Sequence, residues 1–202
     1  MAIADFDKAI ELDPELALAY NNRGLSYGNK GQWDFAIADF DKAIELDPEL
    51  AMAYGNRGWA YNEKQMWDLA IADFDRAIEL DPELALAYSN RGLSYANKAQ
   101  WDLAIADFDK AIELDPELAL AYSNRGAAYL NKEQWDLAIA DCTKAIELDP
   151  ELDTAYFGRA VAYYNEGQED LAIADLNKVI EVSSDPSLIQ AAREGIEELK
   201  GG

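Results

Sequence analysis

The proline of an Asp-Pro-Glu triplet stands at Pro14, Pro48, Pro82, Pro116 and Pro150, each 34 residues after the last. A sixth proline after an aspartate, Pro186, follows after 36 residues and precedes Ser187 rather than a glutamate, with Ser183 and Ser184 in the lengthened connection. Residues 17–50 and 85–118 differ at only four of 34 positions. Such a period does not fit one closed globule around one core. It calls for a stack of similar supersecondary units, each in contact with its neighbours.

Each unit reads as two helices. Asp47, Pro48 and Glu49 carry the signals of a helix start: a carboxylate to cap free N–H groups, a proline for the first helical position, and an acid for the positive end of the dipole. The first helix is therefore expected to begin there. Tyr54, Gly58 and Tyr61 then recur at i, i+4, i+7, one helical face. Asn29-Lys30-Gly31 closes the equivalent helix of the preceding unit. The second helix is expected from Trp33-Asp34, with Ala36, Ile37, Phe40, Ala43 and Ile44 forming a stripe wide enough to pack on two neighbours. Strand-type alternation is absent, so the fold class is all-α.

The residue order Tyr54, Gly58, Tyr61, Ala70, Phe74, Ala77, Pro82 resembles the tetratricopeptide repeat (TPR) skeleton. It recurs as Tyr20, Gly24, Tyr27, Ala36, Phe40, Ala43, Pro48 and as Tyr88, Gly92, Tyr95, Ala104, Phe108, Ala111, Pro116. The resemblance implies a right-handed α-solenoid of antiparallel helix pairs, with first helices on the concave face and second helices on the convex face. Gly24 and Ala36 are small enough to let two helices approach, and Tyr27 and Phe40 fill the seam between them. The expected divisions are a half repeat (1–16), four repeats (17–50, 51–84, 85–118, 119–152), an atypical fifth (153–186) and a C-terminal capping helix (187–202).

The departures gather at the two ends. Cys142 replaces the core Phe of the fourth unit; in the fifth, Ala160, Leu176, Val179 and Glu169 replace Gly, Phe, Ala and Trp. Leu188, Ile189, Ala192, Ile196 and Leu199 share one face of the last helix, with Arg193, Glu194, Glu197 and Glu198 on the other. At the other end, residues 1–13 match only a second helix and would leave Ile3, Phe6 and Ile10 partly open. Either the array is cut from a longer one, or that end docks on another copy.

Composition narrows the function classes. There are 17 Lys+Arg against 40 Asp+Glu, a net charge of −23, with no histidine. Nucleic acid is not expected as a partner, since phosphate recognition needs clustered cations. Without histidine the commonest general base and metal ligand are missing. Cys142 alone can form neither an internal disulfide nor a thiolate–imidazole pair. The carboxylates are spread evenly, −3 to −5 per unit, and Asp39 and Asp41 point to different sides of their helix. No loop resembles a calcium site. No catalytic residue, cofactor or metal is expected, and the chain does not read as an enzyme.

Residues 1–16 carry Asp5, Asp7, Glu11, Asp13 and Glu15 with only Lys8, unlike a secretory signal, and no run approaches 18 apolar residues. A cytoplasmic protein without a membrane span is expected, unless an export signal lies upstream.

Function then rests on first-helix residues outside the skeleton. The sixth position after each Pro-Glu-Leu is Asn22, Asn56, Asn90 and Asn124, with Gly158 in the fifth unit. An amide donates and accepts, so a ladder of them can hold a peptide backbone without reading side chains. The ladder is similar to that of the O-linked GlcNAc transferase superhelix, which implies contact with extended peptides. The alternative is a solvent-facing residue copied by duplication. The carboxylate clamp of heat-shock co-chaperones also needs Lys at the second position; here Leu18, Met52, Leu86, Leu120 and Thr154 stand there, so acidic C-terminal tails are disfavoured. The ninth position runs Leu25, Trp59, Leu93, Ala127, Val161, the fifth Asn21, Gly55, Ser89, Ser123, Phe157, and the twelfth Gly28, Asn62, Ala96, Leu130, Tyr164. These variable positions are expected to give the groove its pockets, with Trp59 as anchor or as inter-helix packing.

Arg23, Arg57, Arg91, Arg125 and Arg159 stand where the family usually has an apolar residue. Salt bridges to Asp of the Ala-Asp-Phe-Asp run (Asp39, Asp41) are favoured over a basic ligand ladder. Trp33, Trp67, Trp101 and Trp135 read as packing, and Cys142 as a core residue. The function expected is an interaction module binding an extended, neutral to mildly basic protein or peptide segment. The rivals are a homo-oligomeric scaffold assembling through the N-terminal half repeat, and an engineered or duplicated array with no dedicated ligand.

Overall fold

The computed structural model describes residues 3–201. Among them are twelve α-helices and no strand. The chain divides into two compact units, residues 1–100 and 101–202. The first holds α1 (Ile3–Leu12), α2 (Ala17–Gly28), α3 (Trp33–Leu46), α4 (Ala51–Glu63), α5 (Trp67–Leu80) and α6 (Ala85–Asn97). The second holds α7 (Trp101–Leu114), α8 (Ala119–Asn131), α9 (Trp135–Leu148), α10 (Asp153–Asn165), α11 (Glu169–Val182) and α12 (Pro186–Gly201). Within each unit every helix packs on the next in sequence, and α2, α4 and α6, like α8 and α10, also touch in series.

The Asp-Pro-Glu triplets do not start helices. Asp47 is extended, at φ −137°, ψ 91°, as the residue before a proline is held. Its Oδ1 accepts the Glu49 N–H at 3.0 Å, so the carboxylate closes a turn rather than capping a helix. The same bond recurs at Asp13, Asp81, Asp115 and Asp149. The helix begins three residues after the proline, at Ala51, behind an uncapped Leu50. Only at the sixth proline does the expected cap form: Asp185 Oδ1 accepts the Ser187 N–H at 2.8 Å and its carbonyl accepts the Ile189 N–H at 3.0 Å.

Each turn from first to second helix has one residue in the left-handed region: Gly31, Gln65, Ala99, Glu133 and Gly167, at φ 55–73°. The next N–H reaches back five residues to a tyrosine carbonyl, as Gln32 to Tyr27 at 3.0 Å and Gln168 to Tyr163 at 2.8 Å. This closure satisfies carbonyls that the ending helix would orphan.

The cores follow the skeleton. Ala36, Phe40 and Ala43 are fully buried, as are Ala70, Phe74 and Ala77. A methyl group on Gly24 would lie 2.6 Å from the Phe40 ring, and one on Gly58 2.9 Å from that of Phe74, so those ring–glycine contacts fix the helix separation. In the second unit Cys142 is buried beside Gly126, and Leu176 and Val179 form a core with Tyr156, Ala160, Ala192 and Ile196. On α1, Ile3, Phe6 and Ile10 are half-buried.

The arginines carry the polar framework. Arg57 donates to both oxygens of Asp73, 16 residues ahead, at 2.7 Å each, and to Asp41, 16 residues behind, at 2.6 Å. Arg23 does the same with Asp39 and Asp7, and Arg125 with Asp141 and Asp109. Each guanidinium thus ties its own second helix to that of the preceding unit. The skeleton tyrosines flank it: Arg57 lies 5.7 Å from the Tyr54 ring and 5.9 Å from that of Tyr61. Hydrogen bonds to the aspartates raise the pKa of Arg23, Arg57 and Arg125 well above the usual arginine value, against the opposing effect of burial. Lys64 to Asp34, Lys98 to Asp68 and Lys132 to Asp102 add further ion pairs between neighbours. No helix among the described residues is long and apolar enough to cross a membrane.

Candidate functional site

In the first unit α2, α4 and α6 enclose an open groove of about 470 Å³. Seven of the expected ligand residues border it: Asn22, Asn56 and Asn90 supply amides, and Leu25, Met52, Trp59 and Leu86 supply apolar walls. No lining side chain is charged. Asn22 is exposed and Asn56 and Asn90 are half-buried, while Met52 and Leu86 are 49% and 62% exposed, so apolar surface stands open to a ligand.

Leu18 and Leu93 are exposed but do not line this groove. Leu120 and Asn124 belong to the second unit, where Leu120 is exposed and Asn124 half-buried.

The fifth and twelfth positions divide: Asn21 and Gly55 line this groove and Phe157 and Tyr164 a cleft of the second unit, while several of the others are buried. Asn21, Ser89 and Ser123 are buried, as are Gly28 and Asn62. Successive first helices pack side by side and these five residues lie at that contact, although Asn21, with Gly55, also lines the groove. Asn62 Nδ2 donates to the Asn90 carbonyl at 3.1 Å and its Oδ1 accepts from Ser94 Oγ at 2.7 Å. Ser123 and Thr154 hydroxyls meet at 3.3 Å. Gly28 is small because the Trp59 ring lies against it: a Cβ there would come within 2.7 Å.

The Trp59 ring meets Trp33 edge-on at 4.9 Å and 88°, an inter-helix packing contact, and it also borders the groove.

Sequence reasoning missed the role of Asn21. Its Oδ1 accepts from Asn56 Nδ2 at 2.9 Å, and its own Nδ2 donates to Asn22 Oδ1 at 3.3 Å. Asn56 therefore presents its carbonyl and one remaining N–H to the groove, and Asn22 a free NH₂. Asn21 is one of the four differences between residues 17–50 and 85–118, the signal that marked it.

The arginine row offers nothing to an acidic ligand, being engaged with aspartates as described. Arg159 is the variant: it holds Asp175 and then the Thr143 hydroxyl at 3.1 Å. Among the described residues no three Cys, Asp or Glu side chains gather in a metal-binding group.

Helix pairs repeated along the chain, with a groove on the first helices, define a helical-repeat protein. The tetratricopeptide repeat profile matches residues 17–50, 51–84, 85–118 and 119–152, and related TPR profiles match residues 1–31 and 153–186. The chain belongs to the tetratricopeptide repeat family. No curated protein sequence matches it. Among solved structures it is similar to YrrB, described as a TPR protein with an unusual peptide-binding site, at 28% identity and TM-score 0.69, covering 96% of this chain and 100% of that one. It is also similar to yeast Tom70, at 25% identity and TM-score 0.79, over 98% of this chain and 43% of that one. The Cut9–Hcn1 assembly of the APC/C shares the fold at 22% identity and TM-score 0.88, over 98% and 38% of the respective chains.

Proposed function

We propose that the chain is a binding module that holds an extended protein segment in the groove of α2, α4 and α6, and that it has no catalytic role. One observation carries the reading: Asn22, Asn56 and Asn90, spaced 34 residues apart, border a single open groove with uncharged apolar walls. The amides bond the segment's backbone and Met52, Trp59 and Leu86 take its side chains. With no charge in the lining and a chain charge of −23, a neutral to mildly basic segment fits. The peptide-binding description of YrrB, a relative at 28% identity, supports the same reading.

A peptide array probed with wild-type chain and with the Asn56→Ala/Asn90→Ala variant tests it. Loss of two backbone-bonding amides should weaken each bound peptide by roughly tenfold or more. Binding that survives the double change unaltered removes the ladder from the mechanism.

A further inference from the structure

A second cavity, of about 110 Å³, lies in the second unit between α10, α11 and α12. It arises from three departures from the repeat. Helix α12 stands where the first helix of a sixth pair would, yet it packs chiefly on α11 and lies against α10 less extensively than α8 does, sharing with it the core of Tyr156, Ala160, Ala192 and Ile196. Gly195 permits that approach, since a Cβ there would come within 3.1 Å of Leu176 Cδ1. Leu176 and Ala160 replace the ring–glycine pair of the earlier units, which removes the phenyl group from this level of the core. Finally, Tyr164 occupies a position that is buried against the next first helix at Gly28 and Asn62, yet it remains 50% exposed.

The lining is apolar (Val161, Tyr164, Leu176, Ala191 and Leu199 among it) apart from Glu198. Glu198 is exposed and makes no hydrogen bond or ion pair in the structure. We propose that this cleft is a binding pocket for one apolar side chain of a partner segment whose adjacent residue is Lys or Arg, the cation pairing with Glu198. The volume is far below the roughly 300–1,000 Å³ of cofactor and metabolite sites, and so matches a single side chain. Apolar cavities hold water poorly and accept apolar guests. A free carboxylate beside such a cavity selects a cation at the adjoining position, and the chain's net charge of −23 favours the same sign. The pocket is separate from the groove of α2, α4 and α6 and does not depend on it.

The test is methyl NMR of the full chain titrated with acetyl-Leu-Lys-amide and acetyl-Leu-Glu-amide at low ionic strength. The expected result is saturable shifts at the Val161, Leu176 and Leu199 methyls, with the lysine peptide at least threefold tighter. Ala191→Phe, which fills the cleft, should abolish those shifts. Glu198→Gln, an exposed change that leaves the fold intact, should bring the two peptides to equal affinity. No saturable shift at these methyls, equal affinities in the wild type, or a lysine preference that persists in Glu198→Gln would each overturn the proposal.

Discussion

Between the first and second helix pairs, Arg57 reaches back to Asp41 and Lys64 to Asp34. Between the fourth and fifth pairs the same two positions are answered differently. Arg159 meets the Thr143 hydroxyl, and Glu166 stands where Lys64 stood, beside the Asp136 carboxylate. Both ionic ties are gone. The packing changes in the opposite sense: Cys142 replaces the Phe ring, Gly158 replaces the ladder asparagine, and α10 lies against α8 more extensively than α4 against α2. A Cβ on Gly158 would come within 3.1 Å of the Cys142 sulfur. The two junctions show that neighbours in such a stack can be coupled by charge or by close backbone approach. Coupling by charge responds to salt and pH; coupling by approach does not.

The largest expected effects probe the core beneath this contrast. Phe74→Ala should cost about 3–5 kcal/mol, because the ring fills the space that Gly58 leaves. Cys142→Ala should cost only about 1 kcal/mol, as little more than one methylene's worth of apolar volume is lost. Urea midpoints of the two variants measure the difference; equal costs would mean that the thiol site is as demanding as the ring site. Burial pushes the Cys142 thiol up to about 12 from its ordinary 9.0. The folded state therefore keeps the thiol protonated where the unfolded chain ionises. That stability is fully present below pH 9 and is lost as pH rises towards 12. A thiol reagent at pH 8 should accordingly label the unfolded chain and leave the native one untouched.

Much of this was legible from one sequence. The 34-residue period, the all-α class and the ring–glycine pairs depend on residue size and spacing, which sequence displays directly. The arginine bridges were half legible: Asp of the Ala-Asp-Phe-Asp run was the expected partner, but Arg57 takes one Asp from its own run and one from the run before. The helix starts misled because a carboxylate before proline can close a turn or cap a helix, and Asp47 and Asp185 do different things with the same dipeptide. Asn21 and Asn22 differ by one position, yet one is buried and the other exposed. That difference is set by how closely α2 and α4 pack, which no local pattern encodes.

The arginine bridges give the next effect. Arg57→Ala leaves the buried Asp73 without its cation and also frees Asp41, at a cost of roughly 2–4 kcal/mol for a partly buried pair. Arg159→Ala severs one carboxylate and one hydroxyl, and should cost measurably less. Thr143→Asp restores the missing arm and should stabilise the fifth pair by up to about 1 kcal/mol. Hydrogen exchange of α10 amides reports the gain locally. If Thr143→Asp has no effect, close packing at this junction has already done what the ion pair does elsewhere.

The turns give a smaller effect on which the two junctions agree. Gln65 and Glu133 sit at φ 58° and 57°, where Gly31 and Gly167 sit at 71° and 73°. A side chain in this region is strained, so Gln65→Gly and Glu133→Gly should each stabilise by about 0.5–1 kcal/mol. Thermal midpoints of the two variants should rise together.

Glu166→Lys is the smallest change and the sharpest test of the charge reading, because its effect depends on pH. In the wild type, desolvation and the neighbouring Asp136 carboxyl raise the Glu166 pKa. A carboxyl with a raised folded-state pKa contributes stability that is present when protonated and lost as pH rises through the carboxylate range. The native junction should thus firm slightly on acidification. The lysine variant rebuilds the pair that Lys64, Lys98 and Lys132 make with Asp34, Asp68 and Asp102. It should melt higher than wild type at neutral pH, by a margin that shrinks with added salt and on acidification, where the wild-type junction firms. A margin indifferent to both salt and pH would assign the gain to helix propensity, and leave the junction held by packing alone.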